Sequence, residues 1–184
     1  MKKWIALMTA ALLLVVGLAA CGNGETDNGD PTTTTQPSAV SPPGNYADNH
    51  SFVFRDVTIT MGAAPAPVIA ALGEPQNERR EPNCAIEGED VLVQYPGILI
   101  TFTYPADGSA PFITGVRLQD DSITTPQGLY IGAAAERVAE LYGQYDREVN
   151  GFYYFNMGNS YLEISVRDGL VDQIIYQYDF LATQ

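Results

Sequence analysis

The chain has one histidine, His50, and two cysteines, Cys21 and Cys84. These shortages exclude whole classes of chemistry. A zinc site of clustered His and Cys has no material to form from. A nucleophilic Ser or Cys needs a base beside it. His50 lies in a polar stretch, so Ser160, Ser165 and Cys84 are expected to have no imidazole partner. No G-x-S-x-G elbow, phosphate-cradling glycine loop or EF-hand spacing occurs. Lysine is confined to Lys2 and Lys3. Past residue 20, seven arginines face 22 acids, a formal charge of −15. That balance argues against a basic patch for nucleic acid or anionic lipid. Its plainest consequence is solubility.

What is present begins at the N-terminus. Lys2-Lys3 precede an apolar run from Trp4 to Val16, and Leu18-Ala19-Ala20-Cys21 closes it. The run is short for a membrane span and has no stop-transfer charges after it, so residues 1–20 read as a signal peptide. The tetrapeptide resembles the bacterial lipobox. That resemblance implies cleavage before Cys21, an acylated Cys21 thiol, and a protein held on the extracytoplasmic face of the cell membrane. No second cysteine is then left for an internal disulfide, and Cys84, within Glu81-Pro82-Asn83-Cys84, reads as an incidental thiol. Residues 21–50 are polar, with Thr32 to Thr35 in a row, and read as a disordered tether. As a coil, the residues after Cys21 span roughly 30 Å.

Residues 51–184 are one domain's worth of chain. Within them Met61-Gly62-Ala63-Ala64, Val68 and Leu72-Gly73 recur as Ile131-Gly132-Ala133-Ala134, Val138 and Tyr142-Gly143, offset by 70 residues. Each copy predicts a strand end, a helix of about two turns with an i, i+3, i+4 apolar stripe, and a glycine stop. Pro65 or Pro67 suits the first helical turn. Ile98, Ile100, Phe102 and Tyr104 alternate with Leu99, Thr101 and Thr103, and Leu162, Ile164 and Val166 alternate with Tyr161, Glu163 and Ser165. Asp107-Gly108 and Asp168-Gly169 mark turns, with Phe112 to Leu118 and Leu170 to Tyr178 returning. Residues 91–95 and 152–156 read as the first strand of each sheet.

This pattern predicts an α+β fold: two tandem copies of a short helix packed on an antiparallel β-meander, about 51–120 and 121–184. Whether the two meanders join as one continuous sheet is left open. The apolar-Gly start, the mid-helix Val and the Leu72-Gly73 ending resemble the repeats of the β-lactamase inhibitory protein and of SmpA/OmlA-type outer-membrane lipoproteins. The chain departs from the inhibitor in lacking paired cysteines in each repeat, so β-lactamase inhibition does not carry over. What the resemblance implies is a protein that binds proteins.

Two sets of side chains merit weighing for function. Carboxylates are abundant, and an acid pair of the kind an envelope glycan hydrolase would need could be drawn from Glu87, Glu89, Asp120 and Asp121. The strong negative charge also permits a cation or small-ligand sensor. Solvated loop charge is the simpler account of these acids. Ten of the eleven tyrosines lie at or after Tyr95. Alternation puts Tyr104 and Tyr154 with apolar neighbours, in the core. It puts Tyr161 with Glu163, Ser165 and Arg167, and Tyr153 opposite Tyr154. Tyr and Arg beside acids suit a protein-contact face. The expected binding residues are therefore Tyr153, Tyr161, Glu163, Arg117 and Thr101. The expectation is a non-enzymatic lipoprotein, without cofactor, metal or nucleic acid, that meets an unknown envelope or extracellular protein.

Overall fold

The structure, a computed structural model, describes residues 47–182. The signal peptide, Cys21 and the tether up to residue 46 lie outside the described residues. The first element is a hairpin, β1 (Ser51–Phe54) with β2 (Val57–Thr60). Its two-residue turn is Arg55-Asp56, both at positive φ, the backbone twist that a tight hairpin demands. Helix α1 (Pro65–Leu72) follows. Pro65 opens it where an N–H has no partner to lose, and Gly73 ends it at φ 73°.

Then come β3 (Asn77–Pro82), β4 (Gly88–Tyr95), β5 (Ile98–Pro105) and β6 (Phe112–Leu118). Helix α2 (Glu136–Tyr142) precedes β7 (Arg147–Val149), β8 (Phe152–Met157), β9 (Ser160–Arg167) and β10 (Leu170–Tyr178).

The last eight strands form one antiparallel sheet in the order β3-β4-β5-β6-β10-β9-β8-β7. This corrects the α+β expectation of two helix-on-meander copies. The protein is mostly β, and its helices are only eight and seven residues long. The physical reason is a pairing no local signal announces. β6 lies beside β10, Val116 opposite Tyr176, so the halves merge across the middle of one sheet. Much of the cover on that sheet is also strand. Phe52 and Phe54 of the hairpin lay their rings 5.4 Å from Tyr176 and 6.2 Å from Tyr95. Helix α1 adds Val68, and α2 adds Val138.

The core therefore lies between one sheet face and a thin layer of hairpin, helices and connections. Val91, Val93, Tyr95, Ile98, Ile100, Phe102, Val116, Leu162, Ile164, Ile174 and Tyr176 point into it. No described element packs along the whole of the opposite face.

Candidate functional site

Because side chains alternate along a strand, the register fixes what the open face displays. One row across the strands reads Leu99, Arg117, Ile175, Glu163, Tyr154 and Arg147, on β5, β6, β10, β9, β8 and β7. The next row reads Arg79, Leu92, Thr101, Gly115, Gln177, Tyr161 and Asn156. A groove of about 490 Å³ runs over the middle of this face. Its floor includes Leu92, Leu99 and Ile175, and Arg79 and Arg117 stand along it. The Asn83–Ala85 loop and Phe180 close one end. Beneath that loop a polar chain is fully engaged: Asp90 accepts from Asn83 and Thr103 at 2.8 and 2.6 Å, and Thr103 meets Thr114 at 2.9 Å.

Four of the five residues expected to bind share this face. Thr101 and Arg117 line the groove; Tyr161 and Glu163 lie two strands from Arg117 across β10. Tyr153 does not join them. It pairs with buried Ile164, packs against the core, and stacks at 5.0 Å on Tyr145. Its place is taken by Tyr154, which alternation had put in the core. Tyr154 meets Tyr161 at 5.5 Å and lies under the Arg147 guanidinium, 4.1 Å from its centroid. Burial, and then the Glu163 carboxylate, pushes the Tyr161 hydroxyl up to about 12; the same two causes raise Tyr154. Both phenols thus stay neutral donors at neutral pH. Phe152-Tyr153-Tyr154-Phe155 is aromatic on both faces, so alternation there carries no sign.

The acids weighed for catalysis fall into two separated groups. β4–β5 pairing puts Glu89 at the Tyr104 end of the strands, whereas Asp120 and Asp121 follow Leu118, which pairs with Ile98 at the other end. An eight-residue strand separates the two groups by about 25 Å, too far for an acid pair. Asp120 is engaged in its own turn, and its hydrogen bonds from Ser122 hold the carboxyl below the usual range. Among the described residues no three His, Cys, Asp or Glu side chains gather as metal ligands.

Ser160 does have an imidazole neighbour, which overturns the expectation of none. The His50 N–H donates to Ser160 Oγ at 2.7 Å, and His50 Nδ1 lies 3.1 Å from the same oxygen. Ser160 is buried and donates to Met157 O at 2.8 Å. An enclosed oxygen with these partners is a clasp rather than a nucleophile. It pins the start of the domain to the β8–β9 turn.

Burial lowers the His50 pKa, against smaller raising effects of the Ser160 bond and Asp146. Below its ordinary value of 6.5, the unfolded chain therefore binds a proton that the native state resists. This contribution to stability is complete above pH 6.5 and is lost on acidification toward the folded-state value. Urea midpoints at pH 7.5 and 5.5 are expected to fall more for the wild type than for His50→Gln. Equal falls would remove His50 from the account.

Comparison with known proteins finds no matching family, no matching curated protein and no matching solved structure. The likeness to the β-lactamase inhibitory protein and to SmpA/OmlA lipoproteins therefore rests on the quoted sequence motifs alone.

Proposed function

We propose that this protein is a non-catalytic, membrane-tethered binding module whose open sheet face docks another envelope or extracellular protein. The observation that carries this reading is the composition of that face. Tyr154, Tyr161, Arg117 and Arg147 stand over an apolar floor on one continuous eight-stranded surface. Aromatic residues and arginine are the types that dominate protein-contact energetics. Four of the seven arginines, Arg79, Arg117, Arg147 and Arg167, fall on this face of an otherwise acidic domain.

Docking by strand addition is less well supported. β3 is exposed throughout, carries Glu78, Arg79, Arg80 and Glu81, and ends at Pro82; β7 has three residues. Charge, proline and shortness all blunt an edge.

A photo-crosslinking residue at position 101 of the full chain, in envelope from the source bacterium, tests the reading. A protein adduct is expected there and none from position 53, which is exposed on the hairpin. Arg117→Glu or Tyr161→Ala should lower its yield roughly thirtyfold, the effect of losing about 2 kcal/mol at a hot spot. Equal adducts from both positions, or adducts only with lipid or glycan, would sink it.

A further inference from the structure

The two rows that cross the open face are complementary to themselves. β10 lies at the centre of both, contributing Ile175 and Gln177. One strand to one side are Arg117 and Gly115; one strand to the other are Glu163 and Tyr161. Two strands out are Leu99 and Thr101 on the first side, Tyr154 and Asn156 on the second. A two-fold axis drawn along β10, just above the face, sets each position against the one equally far on the other side. Arg117 then faces Glu163 of the partner subunit, and Glu163 faces Arg117 of the partner subunit. Tyr161 meets Gly115 of the partner subunit, the one position in either row without a side chain. Tyr154 covers Leu99 of the partner subunit, and Ile175 meets its own copy.

We infer that the occupant of the open face is a second copy of this chain, docked face to face about a two-fold axis along β10. The inference rests on the docking role proposed for this face and names its partner. Three observations carry it. The first is charge: neither Arg117 nor Glu163 has an ion-pair partner among the described residues, and the two stand about 10 Å apart, two strand spacings, with opposite signs across the axis. An isologous interface requires this arrangement, in which i meets j and j meets i. The second is shape: the hollow over Gly115 lies opposite the half-buried Tyr161 ring rather than opposite another ring. The third is size. The eight strands hold 55 residues and give a face of roughly 900 Å², against about 800 Å² per partner in a standard interface. Sheets packed this way align to within about 30°, which keeps the central rows in contact.

Charge reversal tests it on the full chain in detergent, by sedimentation equilibrium. The wild type is expected to dimerise. Arg117→Glu makes the face acidic on both sides of the axis, and Glu163→Arg makes it basic on both. Each alone should weaken self-association at least tenfold. Mixed one to one, the two variants should recover a heterodimer, because each reversed charge then meets its opposite. The double variant, Arg117→Glu with Glu163→Arg, should again dimerise by itself. Recovery also shows that the single variants were folded.

A monomeric wild type, single variants that associate as the wild type does, or a mixture that stays monomeric would each overturn the inference. A monomer that still gives an Arg117-dependent adduct with a different protein overturns the second copy while the docking face stands. The loss of every adduct from position 101 removes both.

Discussion

Phe52→Ala is expected to lower stability by about 3–5 kcal/mol, the usual loss for a fully buried phenylalanine. Phe52 is 0% exposed and rests on Tyr176 of β10, so its removal leaves a cavity over the middle of the sheet. A domain of this size holds only about 5–15 kcal/mol in total. The urea midpoint should therefore drop by a large fraction, and the melting temperature by roughly 10–20 °C. Val53, on the other side of the same strand and 48% exposed, provides the control. Val53→Ala should stay within about 0.5 kcal/mol of the wild type. If the two variants behaved alike, the hairpin would not belong to the cooperative unit. The sheet would then have to stand with one face largely bare.

That hairpin was also the element least visible in the sequence. Its turn, Arg55-Asp56, takes positive φ without the Asn-Gly or Asp-Gly signature that announces such turns. Asp168-Gly169 does carry the signature and forms the expected two-residue turn between β9 and β10. Gly73 and Gly143 end their helices as the pattern implied, because the interruption needs a positive φ that costs glycine little. β3 was missed for the opposite reason. Exposed on every residue, Asn77–Pro82 has no period to read. The largest error, in fold class, came from counting helices and sheets locally. Two short helices were legible, but the pairing of β6 with β10 joins residues about 60 apart and leaves no mark on either segment.

The candidate site was legible where a strand had one wet and one dry face. Period-two alternation suffices to place Tyr161 with Glu163, and Thr101 on the wet side of its own strand; the β6–β10 pairing then brings them to one face. It failed at Phe152–Met157, where aromatics on both faces left the choice between Tyr153 and Tyr154 to register. It also said nothing of Gly115, whose interest lies in what stands one and two strands away. The His50–Ser160 bond closes over 110 residues, beyond any local pattern. The acids show the converse failure. Composition alone offers Glu87, Glu89, Asp120 and Asp121 as sources of a pair, but the length of a strand separates the first two from the last two.

Asn49→Asp is expected to produce the second large effect, with a pH dependence opposite to that from His50. Asn49 is 4% exposed. Its Nδ2 donates to Met61 O at 2.8 Å, and its Oδ1 accepts from the Asn159 N–H at 2.7 Å. One amide thus joins the start of the domain, the end of β2 and the β8–β9 turn. An ionised carboxylate can keep the second bond but cannot make the first, and it would bury a charge against the Met61 carbonyl. The expected loss at pH 7.5 is about 3 kcal/mol. Burial and the facing carbonyl raise the folded-state pKa of that carboxyl above its unfolded value near 4. The native state then holds the proton more tightly, so the loss is absent at low pH and grows as pH rises through the raised value. Protonated, the carboxyl regains a donor for Met61. Urea midpoints of Asn49→Asp and Asn49→Ala, each set against the wild type at pH 7.5 and 4.5, separate the causes. The alanine variant, which leaves both backbone groups unpaired at any pH, should lie below the wild type by a similar margin at the two values. The aspartate variant should close most of its gap at pH 4.5. A gap that did not close would mean that the clasp holds by packing rather than by the amide's paired donor and acceptor.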